Sequence, residues 1–295
     1  MRIFVIGLGS IGRRHLENAQ ALGHEAQGGR LSDAEAWGPE AVVVASPTSA
    51  HLEALRWATE RGIHAYVEKP VAAASAGLAD AVAAADRTGA TVAVGYNLRF
   101  HPALEAVRDA VFSGTIGRLL SVRAEVGHYL PDWHPEQDFR RSYAARSELG
   151  GGALLTLSHE LDYVRWIAGE VDQVSGVTAG GFSLGLDVDE VAEVLLQHVG
   201  GAVSSVHMDF VDRDYNRRSR WVGAERTIAW EWGGAVRAEP GRSVLWENAS
   251  FELGETYRAA LADFLTAIER GCAPRCDLRE GLRVLELCEA VANAG

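Results

Sequence analysis

The chain opens MRIFVIGLGSIGRRH, and no other stretch restricts its fold as tightly. A short apolar run of strand type ends at Ile6. Gly7, Gly9 and Gly12 follow at G-x-G-x-x-G spacing, where a helix spanning Ile11 to Leu22 begins. Glycines placed this way let the backbone turn tightly and approach a pyrophosphate, whose charge the free N–H groups and positive end of the helix favour. A turn needed only for packing would use the same glycines, so the surroundings decide the weight of the pattern. "AVVVAS" is followed by a helix over about 49–61, "IHAYVE" by the alanine-rich stretch 75–88, and "ATVAVGY" closes the series. Continuous apolar strands separated by helices call for a parallel sheet covered on both faces. The first lobe, 1–117, therefore reads as a Rossmann doubly wound α/β domain that binds a dinucleotide.

Beyond Gly114 the apolar period changes to two. "LLSVRAEVGHY", "DEVAEVLLQHVGGAVSSVHMDFV" hinged at Gly200 and Gly201, and "SRWVGAERTIAWEWGGAVRAE" alternate in the manner of an antiparallel or mixed sheet with one face covered. Two helices, about 255–270 and 278–293, close the chain, with Gly271 and Pro274 as stop signals between them. The expectation is a second, α+β domain over 118–295 with a large open, mostly antiparallel or mixed sheet. Two domains also suit 295 residues at ~150 per domain. Five of the eight tryptophans fall from Trp166 onward, and an aromatic-rich sheet face often buries against another subunit. A homodimer or homotetramer built through this sheet is expected on that ground.

A formal net charge of -12 argues against nucleic acid as a partner, because phosphate binding needs clustered Lys and Arg. Cys272, Cys276 and Cys288 lack the paired spacing of a zinc site and read as free thiols. Met1 leads straight into a strand rather than a secretory signal, and no apolar run reaches the ~20 residues of a membrane span, so a cytoplasmic protein with no membrane partner is expected.

Which dinucleotide binds depends on the residue ending the second strand, "HEAQGGRLSD". An acidic side chain there holds the ribose hydroxyls of NAD, and an arginine accommodates the extra phosphate of NADP. Arg30 and Ser32 are the nearest candidates, with Arg13 and Arg14 as further cations, so NADP is placed ahead of NAD; Arg30 also reads as an ordinary surface charge. Leu8, Ser10 and Ile11 complete the turn. In "YVEKPVAA", Glu68, Lys69 and Pro70 end a parallel strand, on the side where open α/β sheets bind ligands. A lysine there can donate to a substrate oxygen and stabilise the negative charge that builds on it.

"GLGSIGRRH", "SPTSAHLEAL", "EKP", "GYNLRFHP", "GTIGRL" and "GGGALLTLSHELD" occur in that order. Together they resemble the glucose-fructose oxidoreductase, inositol dehydrogenase and rhizopine-catabolism (Gfo/Idh/MocA) family over nearly the whole chain. The resemblance implies NAD(P)-dependent redox chemistry on a sugar, cyclitol or nucleotide sugar. It makes Lys69 the contact to the substrate hydroxyl and His159 the proton acceptor or donor, and it puts Ser46, Pro47, His51, Glu68 and Asn97 beside the cofactor. Arg99 joins the substrate candidates. The run from Tyr129 to Arg146 resembles a branch associated with nonulosonic-acid or nucleotide-sugar gene clusters.

"LGGGALLTLSHELDYVRW" reads as one helix with three glycines at its entrance. On a wheel of about 100 degrees per residue, Ala153, Leu157, Leu161, Val164 and Ile167 share an arc, and His159 lies roughly 150 degrees from its middle. A histidine in an aliphatic helix is most often structural, but this one looks away from the predicted core. A residue titrating near neutrality can take or give the hydroxyl proton. Two features depart from the family. Leu155 stands where an aspartate is usual, leaving Thr156 or Asp162 to contact the imidazole or substrate. The segment between the second strand and "AVVVAS" is also shortened, which opens the adenosine end of the cofactor site. The loop residues Trp133, His134, Arg140 and Tyr143 suit a sugar ring with an anionic substituent, and equally a solvated loop. His128, His134, His159 and Asp162 lack ligand spacing, so no metal is expected. Two rival readings stay open: a non-catalytic NAD(P)-binding sensor or scaffold, and an NAD-assisted lyase or glycosidase.

Overall fold

A computed structural model describes residues 1–248 and 250–293 and divides into two compact units. The first comprises Met1–Asn97, Glu148–Gly150 and Leu253–Glu286, and the second comprises Leu98–Ser147, Gly151–Glu252 and the residues from Leu287 on. The boundary thus falls earlier than the expected 117/118, and the chain returns to its first unit near its end. Among the described residues no helix is long and apolar enough to cross a membrane.

The first unit alternates as the sequence requires: β1 (Arg2–Ile6), α1 (Ser10–Ala21), β2 (Glu25–Gly29), α2 (Leu31–Trp37), β3 (Ala41–Val44), α3 (His51–Glu60), β4 (His64–Val67), α4 (Leu78–Thr88) and β5 (Val92–Val94). The strands pair in parallel in the order β2-β1-β3-β4-β5. Leaving β1 for β2 on one side and for β3 on the other is a topological switch point. It sends the helices of the two halves to opposite faces. β3 is completely buried, which explains its unbroken Ala-Val-Val-Val.

The second unit opens with α5 (Pro102–Phe112) and β6 (Leu119–Gly127), then α6 (Ala153–Thr156) and α7 (His159–Ala168). Seven strands follow: β7 (Val171–Gly180), β8 (Asp189–His198), β9 (Val203–Asp209), β10 (Asn216–Gly223), β11 (Thr227–Glu231), β12 (Val236–Glu239) and β13 (Ser243–Trp246). They form one eight-stranded sheet, β13-β12-β11-β10-β6-β9-β8-β7, antiparallel except where β6 lies parallel to β9. Burial alternates along β8 and β10, so one face is covered and the other open. α7 packs on β6 and β9 and also on α5.

The tryptophans from Trp166 onward differ in depth, Trp166, Trp232 and Trp246 being half-buried. Trp221 and Trp230 are buried within their own unit, each against Tyr163 of α7 at 6.4 and 6.5 Å between ring centroids. They belong to the helix-covered core, where loss of a tryptophan side chain costs about 3–5 kcal/mol.

α8 (Gly254–Arg270) packs on α1 and β4 of the first unit, and α9 (Leu278–Ala292) begins in that unit and ends in the second. Between them, Val94 N–H donates to Cys276 O at 2.9 Å, covering the edge strand β5.

His101 caps α5, its Nδ1 accepting from Ala103 N–H at 3.1 Å. Its ring sits among Trp230, Trp232, Trp246 and Phe251 at centroid distances of 5.3, 5.3, 5.8 and 4.6 Å. Burial, seconded by the charge of Arg217, lowers its pKa from 6.5 to about 4. Above pH 6.5 the ring is neutral whether folded or not, and the stability is full. Between 6.5 and 4 only the unfolded chain takes the proton, so stability falls with pH, by about 3 kcal/mol in all. His101→Asn keeps a capping acceptor and removes the titration. Thermal melts across that window should show a shallower pH dependence in the variant, and an unchanged slope would remove His101 as the cause.

Candidate active site

In the first unit the hydrogen-bond ladder continues one residue past each strand. Gly7 N–H donates to Gly29 O, Ala45 N–H to Ile6 O, Glu68 N–H to Val44 O and Gly95 N–H to Val67 O, at 2.7–2.9 Å. The loops after β1, β3, β4 and β5 therefore leave one carboxyl edge side by side. The glycine turn is fixed there by contacts that admit no side chain. Gly7 has φ +97°, and a Cβ on it would lie 2.7 Å from Ala45 O and Ser46 N; a Cβ on Gly12 would lie 1.8 Å from Gly7 O. A Cβ on Gly9 would meet nothing within 4 Å, so the N-cap of α1, where the first N–H groups lack helical partners, is open and exposed. Ser46 Oγ is buried with no partner among the described residues. An open cradle at a helix N-terminus beside an unsatisfied hydroxyl fits a bound dinucleotide. Leu8, Ser10 and Arg13 are exposed around the turn, Ile11 is partly covered, and Arg13 Nε donates to Leu8 O at 3.1 Å.

Lys69 leaves β4 on this edge and is half-buried. Its neighbour Glu68 is anchored: Oε1 lies 2.7 Å from Nε2 of His15, which is wholly buried in α1, and Oε2 accepts from Lys69 N–H at 3.2 Å. His15 lies one helical turn beyond Gly12 and so faces the same strands, a placement that helix periodicity alone marks. His51 is buried and spans two loops, Nε2 at 2.9 Å from Ser46 O and Nδ1 at 2.9 Å from Pro70 O. Burial pulls its pKa below the ordinary value, against the two carbonyls that favour the charged ring. Pro47 is exposed at the rim. Asn97 is buried, donating to Thr256 Oγ1 of α8 at 2.6 Å.

The segment after β2 is the folded helix α2. Arg30 is its N-cap, and Asp33 in the first turn accepts from Arg30 N–H at 2.8 Å, with the exposed guanidinium 3.7 Å away. Ser32 is exposed beside it. An acidic residue therefore stands close to the arginine that the sequence singled out.

The predicted single helix around His159 is two helices, broken at Leu157 and Ser158. Asp189 of β8 pins the first by accepting from Leu154 N–H at 2.7 Å, a close approach that leaves only 2.2 Å between its Oδ1 and a Cβ on Gly152. Two buried ion pairs hold the second. Glu160 Oε1 meets Arg217 Nε of β10 at 2.8 Å, and both carboxylate oxygens of Asp162 lie 2.7–3.1 Å from Arg99. These tertiary ties override the continuous periodicity, so a wheel drawn through the whole run fails. His159 opens α7 rather than sitting partway along a helix, and it is 8% exposed within a buried turn.

The comparisons with known proteins agree with this architecture. The sequence model described as "Oxidoreductase family, NAD-binding Rossmann fold" matches residues 30–96, and the GFO/IDH/MocA C-terminal domain matches 104–229. The chain belongs to the GFO/IDH/MocA family. Among curated proteins, D-xylose 1-dehydrogenase (NADP(+)) 2 of Haloferax volcanii is 27% identical over 261 residues, covering 85% of this chain and 77% of that protein. Inositol 2-dehydrogenase of Rhizobium meliloti is 27% identical over 277 residues, covering 86% and 78%. A solved levoglucosan dehydrogenase in complex with NADH and L-sorbose has the same fold, with TM-score 0.86 at 21% identity, covering 100% of this chain and 96% of that one.

At Leu155, where the family resemblance implies an aspartate, α6 carries an apolar side chain, and the break at Leu157 and Ser158 separates it from His159. Asp162 cannot substitute, because it is 0% exposed and held by Arg99, itself 1% exposed. The pair is internal, so Arg99 and Asp162 leave the substrate set. Thr156 is buried at the end of α6. On the loop from Tyr129, Trp133 is half-buried and its indole N–H donates to His128 O at 3.2 Å; His134 is exposed; Arg140 lies over the Phe139 ring and 3.8 Å from Asp138; Tyr143 is exposed.

Breaking one partner of a buried ion pair leaves an uncompensated charge, so Arg99→Met should lose about 3–5 kcal/mol in chemical denaturation. The double variant Arg99→Met, Asp162→Leu should recover most of that loss. Failure to recover would mean that these groups do more than hold α7 to the segment before α5.

Proposed function

We propose that the protein is an NAD(P)-dependent oxidoreductase that interconverts a hydroxyl and a ketone on a carbon of a sugar-like substrate. The observation that carries this reading is the alignment of the glycine turn, Ser46 and the Glu68–Lys69 step on one edge of the parallel sheet. The relatives' names, a xylose dehydrogenase, an inositol dehydrogenase and a dTDP-sugar 3-reductase, support a sugar, cyclitol or nucleotide-sugar substrate. When bound, the nicotinamide supplies the hydride acceptor in the oxidative direction and the donor in the reverse. Lys69 donates to the substrate oxygen and stabilises negative charge there as the C–H bond breaks. His159 takes the hydroxyl proton, or returns it in reduction. His15 and Glu68 hold the backbone from which Lys69 projects.

His159→Asn should lower turnover about 10²–10⁴-fold, the usual range for a lost general acid or base. Lys69→Ala should lower it comparably, and both variants should still quench on NADH titration as the parent does. Undiminished turnover in Lys69→Ala would take the lysine out of the mechanism. Leu155 favours a second reading, a cofactor-dependent binding protein without turnover. Cofactor binding with no activity across sugars, cyclitols and nucleotide sugars would select it.

The NADP preference read from Arg30 is retained within this proposal. The guanidinium is 87% exposed and able to meet a 2′-phosphate, while Asp33 beside it supports NAD. Arg30→Ala should raise the NADP⁺ Michaelis constant roughly tenfold or more and leave that for NAD⁺ nearly unchanged, as expected for a charge-assisted bond. Equal effects on both cofactors would remove Arg30 from recognition. Homo-oligomerisation is retained on a different ground from tryptophan content: the open face of the large sheet exposes Val177, Leu195 and Val203.

A further inference from the structure

One end of the large sheet carries a strip of aromatic rings that the proposed chemistry does not use. His128 follows β6, Tyr215 precedes β10 and Trp232 follows β11; Gly127 pairs with Asn216, and Trp232 N–H donates to Arg217 O at 2.8 Å, so the three strand ends are adjacent. Alternation puts these side chains on the side of Val126, Arg217 and Trp230, which is the covered face. The rings touch in sequence: Trp133 to His128 at 5.0 Å, His128 to Tyr215 at 4.9 Å and Tyr215 to Trp232 at 5.9 Å between centroids. Unlike Trp221 and Trp230 they reach the surface; Tyr215 is 40% exposed and the others are half-buried. The strip also adjoins α7, because the Arg217 guanidinium lies 5.4 Å from the Trp232 ring and is bonded to Glu160, the residue after His159.

The charges around the strip narrow what it can hold. Arg217 is neutralised by Glu160, and the Arg213 guanidinium lies 4.0 Å from the Tyr129 ring. Arg141 and Arg146 are exposed on the loop, where water and salt screen them. Asp132 and Asp214 are exposed nearby, and Asp212 binds Asn216. Burial and Arg217 lower the pKa of His128, which keeps that ring neutral at pH 7. Rings with carboxylates at their margin match the C–H face and hydroxyl groups of a neutral sugar. A phosphate or carboxylate instead calls for a desolvated, unengaged cation.

We propose that Trp133, Tyr215 and Trp232 seat the substrate ring, and that the substrate is a neutral sugar or cyclitol rather than a nucleotide sugar or sugar acid. This rests on the oxidoreductase reading above for its substrate, but its test does not need turnover. Saturation-transfer NMR titrations with D-xylose, myo-inositol and UDP-N-acetylglucosamine, in the presence of NAD⁺, compare the parent with Tyr215→Leu and Trp133→Leu. The neutral probes should bind the parent. Their affinity should fall roughly fivefold to tenfold in each variant, as for loss of an aromatic contact, while NADH binding and melting temperature stay the same. In steady-state assays the Michaelis constant should move more than kcat. Tighter binding of UDP-N-acetylglucosamine than of either neutral probe, unchanged neutral binding in the variants, or no binding of any probe would each overturn the proposal. Binding that depends on Tyr215 without turnover would leave the strip standing and overturn the oxidoreductase reading instead.

Discussion

A backbone contact that admits no β-carbon underlies the arrangement of the first unit. The helix α1 can start where it does only because Gly12 rests against the carbonyl of Gly7, and Gly7 in turn rests against the start of the loop after β3. That contact sets the helix N-terminus on the carboxyl edge of the sheet and keeps its free N–H groups clear of side chains. It also brings His15 of the same helix onto Glu68, so one close approach locates both the anion cradle and the lysine step. Backbone packing of this kind is rigid, which suits a site that must hold a charged ligand without reorganising.

The second unit solves its positioning problem with charge instead. α7 is buried on nearly every side, Glu160 and Asp162 included, so its apolar arc alone does not fix its rotation. The Arg99–Asp162 and Glu160–Arg217 pairs supply that orientation, since an unpaired charge in either place would be costly. Such pairs add little net stability compared with apolar residues of similar volume. Their contribution here is geometric, fixing the turn that carries His159.

The sequence reveals the layers well and the site only in part. Strand and helix periods are properties of short windows, so β1 to β5 and the hairpin at Gly200–Gly201 are legible. The glycine spacing locates the anion cradle because steric exclusion is local. The break before His159 is not legible, since Asp189, Arg99 and Arg217 act from distant positions and nothing in "LLTLSHELD" announces them. Tryptophan content does not separate core rings such as Trp221 and Trp230 from the half-buried Trp232, because composition does not say how deeply a residue sits until the strand register is known. Asp33 was hidden by the same limit: it stands three residues past Arg30 and comes back beside it only through the turn of α2.

The route of the chain has a consequence for its biosynthesis. The parallel strands of the first unit precede the second unit in the chain, yet α8, which covers α1 and β4, and the segment that lines the edge of β5 come only after residue 253. On the ribosome the parallel sheet emerges before the second unit and stays uncovered along α1 and β5 until that intervening unit has been made. The second unit, continuous apart from one short excursion and its last turns, is the part able to close while synthesis continues. Nascent chains halted before α8 would display an unpaired strand edge, a surface open to pairing with other chains.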